Sequence, residues 1–82
     1  MEKTIYTREY GTVLRLLREA REQAGITQVE LAKKLKQTQS YVSKIERGDR
    51  RIDLIQLRTI CQILKTNLRD FVERLERELS SE

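Results

Sequence analysis

Residues Thr38 to Gly48 read TQSYVSKIERG and carry a heavy load of hydrogen-bonding side chains. Wound at about 100° per residue, Tyr41, Val42, Ile45 and Glu46 share one side of a helix, and Gln39, Ser40, Ser43, Lys44 and Arg47 share the other. A helix that merely meets water usually shows Glu and Lys paired at i, i+4. The outer face here has no acid at all, so its amides, hydroxyls and cations are available for hydrogen bonding to a partner.

Charge points to the kind of partner. The net charge of +4 is unevenly spread. Residues 1 to 32 balance, with Lys3, Arg8, Arg15, Arg18 and Arg21 against Glu2, Glu9, Glu19, Glu22 and Glu30. In residues 33 to 51, Lys33, Lys34, Lys36, Lys44, Arg47, Arg50 and Arg51 face only Glu46 and Asp49. The excess thus surrounds the hydrogen-bonding helix, and a basic patch of this kind is the electrostatic footprint of a polyanion.

Other chemistries are poorly served. Histidine is absent and Cys61 is the only cysteine, so a zinc site, a disulfide framework or a His-based acid/base pair is hard to build. Cys61 shares a helical stripe with Leu57, Ile60 and Leu64 and reads as a core thiol. The carboxylates sit on amphipathic helices among basic partners, as on a solvated face. Neither enzymatic activity, nor a metal, nor a cofactor is expected. No apolar run approaches the ~18 residues of a membrane span and the start lacks a signal pattern, so a cytoplasmic protein is expected.

The elements that hold the outer face can be located by their punctuation. With 82 residues, no proline and few aromatics, the chain suits one compact all-α domain. A first helix is predicted from between Thr7 and Thr12 to Ala24, with Val13, Leu14, Leu17, Ala20 and Ala24 on one stripe and Gly25 as a left-handed stop. Thr27-Gln28-Val29-Glu30 spells a capping box, and Ile26 before it can act as a hydrophobic staple. The short helix that follows ends near Leu35, with Leu31, Ala32 and Leu35 inward. Only Lys36 and Gln37 separate it from Thr38, a cap for the third helix, and so tight a connection forces a large crossing angle, the geometry of a helix-turn-helix. Gly48 stops the third helix. Asp53 caps a fourth that runs to about Leu64, and Asn67 caps a fifth bearing Leu68, Phe71, Val72, Leu75 and Leu79. A frayed tail is expected at residues 80–82.

With GITQVELAKKL followed by TQSYVSKIERG, the sequence strongly resembles the lambda-repressor and Cro-like, or XRE-type, helix-turn-helix family over about residues 10 to 66. The resemblance implies five helices, the third lying in the DNA major groove. The expected organisation is an N-terminal arm over 1–9, a core over 10–66 and a C-terminal helix over 67–79. Gln39, Ser40, Ser43 and Lys44 then become candidate base contacts, glutamine being suited to adenine and lysine to guanine. Gln28 is implied to bind a phosphate and brace Gln39. Tyr41, Arg47, Arg50 and Arg51 are candidate phosphate contacts, Tyr41 through its hydroxyl or else as a filler at the core edge. The glutamate matching Glu46 pairs in the family with an arginine of helix one, here Arg21, so a structural Arg21–Glu46 pair is expected. Many relatives have glycine where this chain has Lys36, a position that often needs a left-handed backbone, at a cost to lysine of roughly 1 kcal/mol.

One short helix discriminates few base pairs, so such domains commonly bind palindromic duplex DNA as two-fold dimers. Leu68, Phe71, Val72, Leu75 and Leu79 of the fifth helix are the expected dimer surface. The expected function is a sequence-specific regulator of transcription acting on double-stranded DNA, the rival being an antitoxin-like module whose main partner is another protein.

Overall fold

The computed structural model describes residues 7–81, which form five α-helices: α1 (Arg8–Gln23), α2 (Gln28–Leu35), α3 (Gln39–Arg47), α4 (Leu54–Ile63) and α5 (Leu68–Ser80). Each starts at a side chain that accepts from an otherwise orphaned amide. Thr7, Thr27, Thr38, Asp53 and Asn67 accept from the N–H groups of Tyr10, Glu30, Tyr41, Gln56 and Asp70. At α2 and α4 the box is closed, because Glu30 and Gln56 accept in return from the backbone N–H of Thr27 and Asp53. The Thr27 amide holds the Glu30 carboxyl below the usual carboxylate range.

The ends show two routes to a left-handed residue. Gly25 (φ 73°) and Gly48 (φ 84°) take it without a Cβ penalty. Lys36 (φ 59°) and Lys65 (φ 64°) take it with one. Lys36 confirms the strained turn expected between α2 and α3, and its left-handed geometry lets the amide of Gln37 reach back to the Ala32 carbonyl at 2.9 Å. At the N-terminus α1 already begins at Arg8, so the end of the segment expected as an arm is helical, while residues 1–6 lie outside the described residues. The C-terminal tail is shorter than expected, since Ser80 is helical and Ser81 caps it; residue 82 lies outside the described residues.

The core gathers Leu16 and Leu17 of α1, Leu31 and Ala32 of α2, Val42 and Ile45 of α3, Leu57, Ile60 and Cys61 of α4, Leu64 after it and Phe71 of α5. Cys61 is fully buried, and burial pushes its thiol pKa up. α3 packs on α2 and α1; α5 closes the other side by packing on α1 and α4. Among the described residues no helix is long and apolar enough to cross a membrane.

Candidate nucleic-acid interface

α3 is fixed to the core chiefly by Val42 and Ile45, each 2% exposed, with Tyr41 packed at the edge of the same cluster. So few anchors on a nine-residue helix leave its other side outward: Gln39, Ser40, Lys44 and Arg47 are exposed and Ser43 is half-buried. Glu46, the acid of this helix, turns inward. Arg21 of α1 donates to it twice, through Nε to Oε2 at 2.6 Å and Nη2 to Oε1 at 3.1 Å, and its Nη1 donates to the Ile26 carbonyl at 2.9 Å. The carboxylate raises the guanidinium pKa further. With the two side chains only 11% and 6% exposed, removal of one partner strands a buried charge and costs about 3–5 kcal/mol.

The pair also reaches the outer face. Gln28 Nε2 donates to Glu46 Oε1 at 3.0 Å, and Gln39 Nε2 donates to Gln28 Oε1 at 3.3 Å. A carboxylate can only accept, so Gln28 must present its N–H to Glu46 and its carbonyl oxygen to Gln39. The chain Arg21–Glu46–Gln28–Gln39 therefore runs one way, from a cation packed against the core to the first residue of α3. It leaves the Gln39 carbonyl oxygen and its second amide N–H uncommitted.

Beyond α3, the basic loop is pinned by two tyrosines. The Arg50 guanidinium lies over the Tyr41 ring at 4.8 Å and that of Arg51 over the Tyr10 ring at 4.9 Å. The Ile52 amide donates to the Tyr10 hydroxyl at 3.1 Å, and Gln56 Nε2 donates to the Tyr41 hydroxyl at 3.0 Å. Stacking uses the face of a guanidinium and leaves its in-plane N–H donors pointing away. Sequence reasoning left Tyr41 open between a phosphate contact and the core edge; it lies half-buried under Arg50, with its hydroxyl bonded to α4. It missed Tyr10 altogether, whose loop partner is 42 residues away along the chain. Arg47 donates to Ser43 Oγ at 2.9 Å and to Asp49 Oδ2 at 3.1 Å, so these two candidate contacts hold each other and Arg47 partly neutralises the loop acid.

The stripe expected as a dimer surface is placed differently. Phe71 is 5% exposed inside the core, and Leu68 and Leu75 pack against the same cluster. Leu79 is half-buried, and only Val72, at 39%, is exposed. Two of the charges of α5 are committed to α1, since Arg15 donates to Glu78 at 2.7 Å and Arg74 to Glu19 at 3.1 Å. Phe71, Leu68 and Leu75 of the stripe thus cover their own domain, and Val72 is its outward member.

Comparisons with known proteins agree with this architecture. A helix-turn-helix family profile matches residues 17–71. The fold is similar to that of an XRE-family like protein from Pseudomonas syringae pv. tomato, 43% identical over 85% of each chain with a TM-score of 0.81. It is similar also to a point mutant of the restriction-modification controller protein C.Esp1396I, 29% identical over 89% of this chain and 97% of that one, again at 0.81. ClgR, a clp gene regulator from C. glutamicum, shares the fold at 24% identity and a TM-score of 0.74 over 90% of this chain and 95% of its own. No curated protein matches the chain in sequence. The chain belongs to the XRE-type, lambda-repressor-like helix-turn-helix family of DNA-binding transcriptional regulators.

Proposed function

We propose that the chain recognises a specific double-stranded operator as a homodimer, with α3 in the major groove and the loop after it on the phosphate backbone. The observation that carries this reading is the one-way hydrogen-bond chain ending at Gln39. It fixes a side-chain amide at the start of a helix whose outer face is acid-free, with one acceptor and one donor outward, the pair that meets N6 and N7 of adenine. Ser40 and Lys44 extend the same face, Lys44 reaching a guanine or a phosphate. Gln28, with a second amide proton still to give at the start of α2, serves a phosphate next to the base that Gln39 reads. Arg50 and Arg51, held by their rings, and Arg47 supply contacts to the backbone that are blind to sequence. The restriction-modification controller protein among the similar structures supports a regulatory role for a chain of this size.

Substitution separates the two kinds of contact. Gln39→Ala is expected to relax the preference at one base position at a cost of about 1–3 kcal/mol, leaving random DNA almost unaffected. Arg50→Ala should weaken all sequences alike and reduce the slope of log affinity against log salt by about one. Titration of both variants against operator and random duplexes reads the difference. Equal losses on both DNAs for Gln39→Ala would place base reading elsewhere.

A further inference from the structure

We propose that Gln56 of α4 is a positioning residue for DNA binding: it fixes the direction of the Tyr41 hydroxyl so that its proton is offered to a backbone phosphate. The inference rests on the reading of α3 and the loop after it as the DNA-binding face, and adds a residue outside both. Gln56 is half-buried, and its side-chain amide is tied through both of its polar atoms. Its Oε1 accepts from the Asp53 amide at 2.9 Å, closing the capping box of α4, and its Nε2 donates to the Tyr41 hydroxyl at 3.0 Å. The box decides which way round the amide lies. A backbone N–H can only donate, so the oxygen of Gln56 must face Asp53 and its NH2 must face Tyr41.

The consequence falls on the hydroxyl. An amide nitrogen only donates, so the Tyr41 oxygen spends a lone pair on Gln56 and its own proton must go elsewhere. Among the described residues no acceptor takes it. Tyr41 stands in the first turn of α3, two residues after Gln39, and carries the Arg50 guanidinium over its ring at 4.8 Å from the ring centre. Hydroxyl and guanidinium are thus two donors held on one support, the first at the edge of the ring and the second above its face. A backbone phosphate has two free oxygens and can take a hydrogen bond from each donor. Gln56 is the residue that makes the neutral one of the two a donor.

Gln56→Glu and Gln56→Met separate positioning from support, because the two roles rank them oppositely. The carboxylate of Gln56→Glu closes the box as Glu30 does at α2, but it can only accept, so it turns the hydroxyl proton inward. Gln56→Met opens the box and leaves the hydroxyl free to donate outward. Each variant of the full chain is titrated against the selected operator, with thermal unfolding alongside. Affinity should fall about tenfold for Gln56→Glu, the scale of one hydrogen bond to a charged group, and less than about threefold for Gln56→Met, although the latter is the less stable protein. Tyr41→Phe keeps the ring under Arg50 and should lose about tenfold on operator and random duplex alike, with the salt slope unchanged, because a neutral donor displaces no counterion. In the Tyr41→Phe background, Gln56→Glu should cost less than about twofold more. A full further loss there would mean that the added charge repels DNA directly, and overturns the positioning role. A larger loss for Gln56→Met than for Gln56→Glu reduces Gln56 to a support of α4, and undiminished binding by Tyr41→Phe removes the phosphate contact; either overturns the proposal while leaving the reading of α3 intact. A wild-type chain that selects no DNA sequence overturns that reading, and this inference with it.

Discussion

At the scale of single residues, the candidate interface depends on side chains that hold the outermost ones in place. Gln39 is directed by Gln28, Gln28 by Glu46, and Glu46 by an arginine on another helix. Tyr10 and Tyr41 do the same for the loop, where an unsupported arginine would lose rotamer freedom on binding a phosphate. Tyr10→Leu should therefore weaken DNA binding without touching any DNA-facing group, by an amount near the 0.5–1 kcal/mol of an exposed cation–π contact. A double-mutant cycle with Arg51→Ala checks this: the two losses should be less than additive on DNA, because Tyr10 acts through Arg51. Strict additivity would mean that the ring supports the fold alone. The Glu46 carboxylate and its arginine were legible in the sequence through the family pattern that TQSYVSKIERG carries. The role of Tyr10 was not, because no periodicity links α1 to a loop 42 residues away.

At the scale of elements, local chemistry and long-range packing part company. The starts of α2, α3, α4 and α5 were readable because a cap is a contact between residues three apart, written in the sequence as Thr27, Thr38, Asp53 and Asn67. Gly25 and Gly48 marked two ends for the same reason. The left-handed Lys65 gave no sign, as neither glycine nor asparagine occupies that position. The packing of the α5 stripe was less legible, because helical spacing shows that a face is apolar but not which of its residues its own core covers. Two predictions belong here. Lys36→Gly should stabilise the domain by about 1 kcal/mol by removing the Cβ from a left-handed position, raising the urea midpoint with the slope unchanged. A lower midpoint would show that the lysine does more in the turn than tolerate it. The second concerns pH at the start of α2. Since the Thr27 amide depresses the folded-state pKa of Glu30, the stabilisation it gives is complete above the ordinary carboxylate range and is lost as pH falls through the depressed value. Melting temperature measured from neutral to acid pH should fall less steeply for Glu30→Gln, whose amide can also close the box but does not titrate. Parallel curves would remove the role of the charge.

At the scale of the whole molecule, five helices form a body of 34 × 33 × 20 Å in which chemistry is segregated by face. α1 and α5 are joined by ion pairs and apolar packing on one side. On another, α2 and α3 present an acid-free row of amides, hydroxyls and ammonium groups, continued by stacked arginines. Of the two acids in residues 33–51, Glu46 is turned inward to Arg21 and Asp49 is paired to Arg47. This division follows from the uneven charge along the chain and from the sparse anchoring of α3, and it makes sense of a helix that spends so little on its own core. The most direct test is selection of binding sites from a random duplex library, followed by titration of the selected sequence at several salt concentrations. An inverted repeat, with adenine in each half-site where Gln39 reads, bound about 10³-fold or more tightly than random DNA is the expected result. Weak binding that falls steeply with salt and enriches no sequence would contradict it, reducing the basic face to general electrostatics.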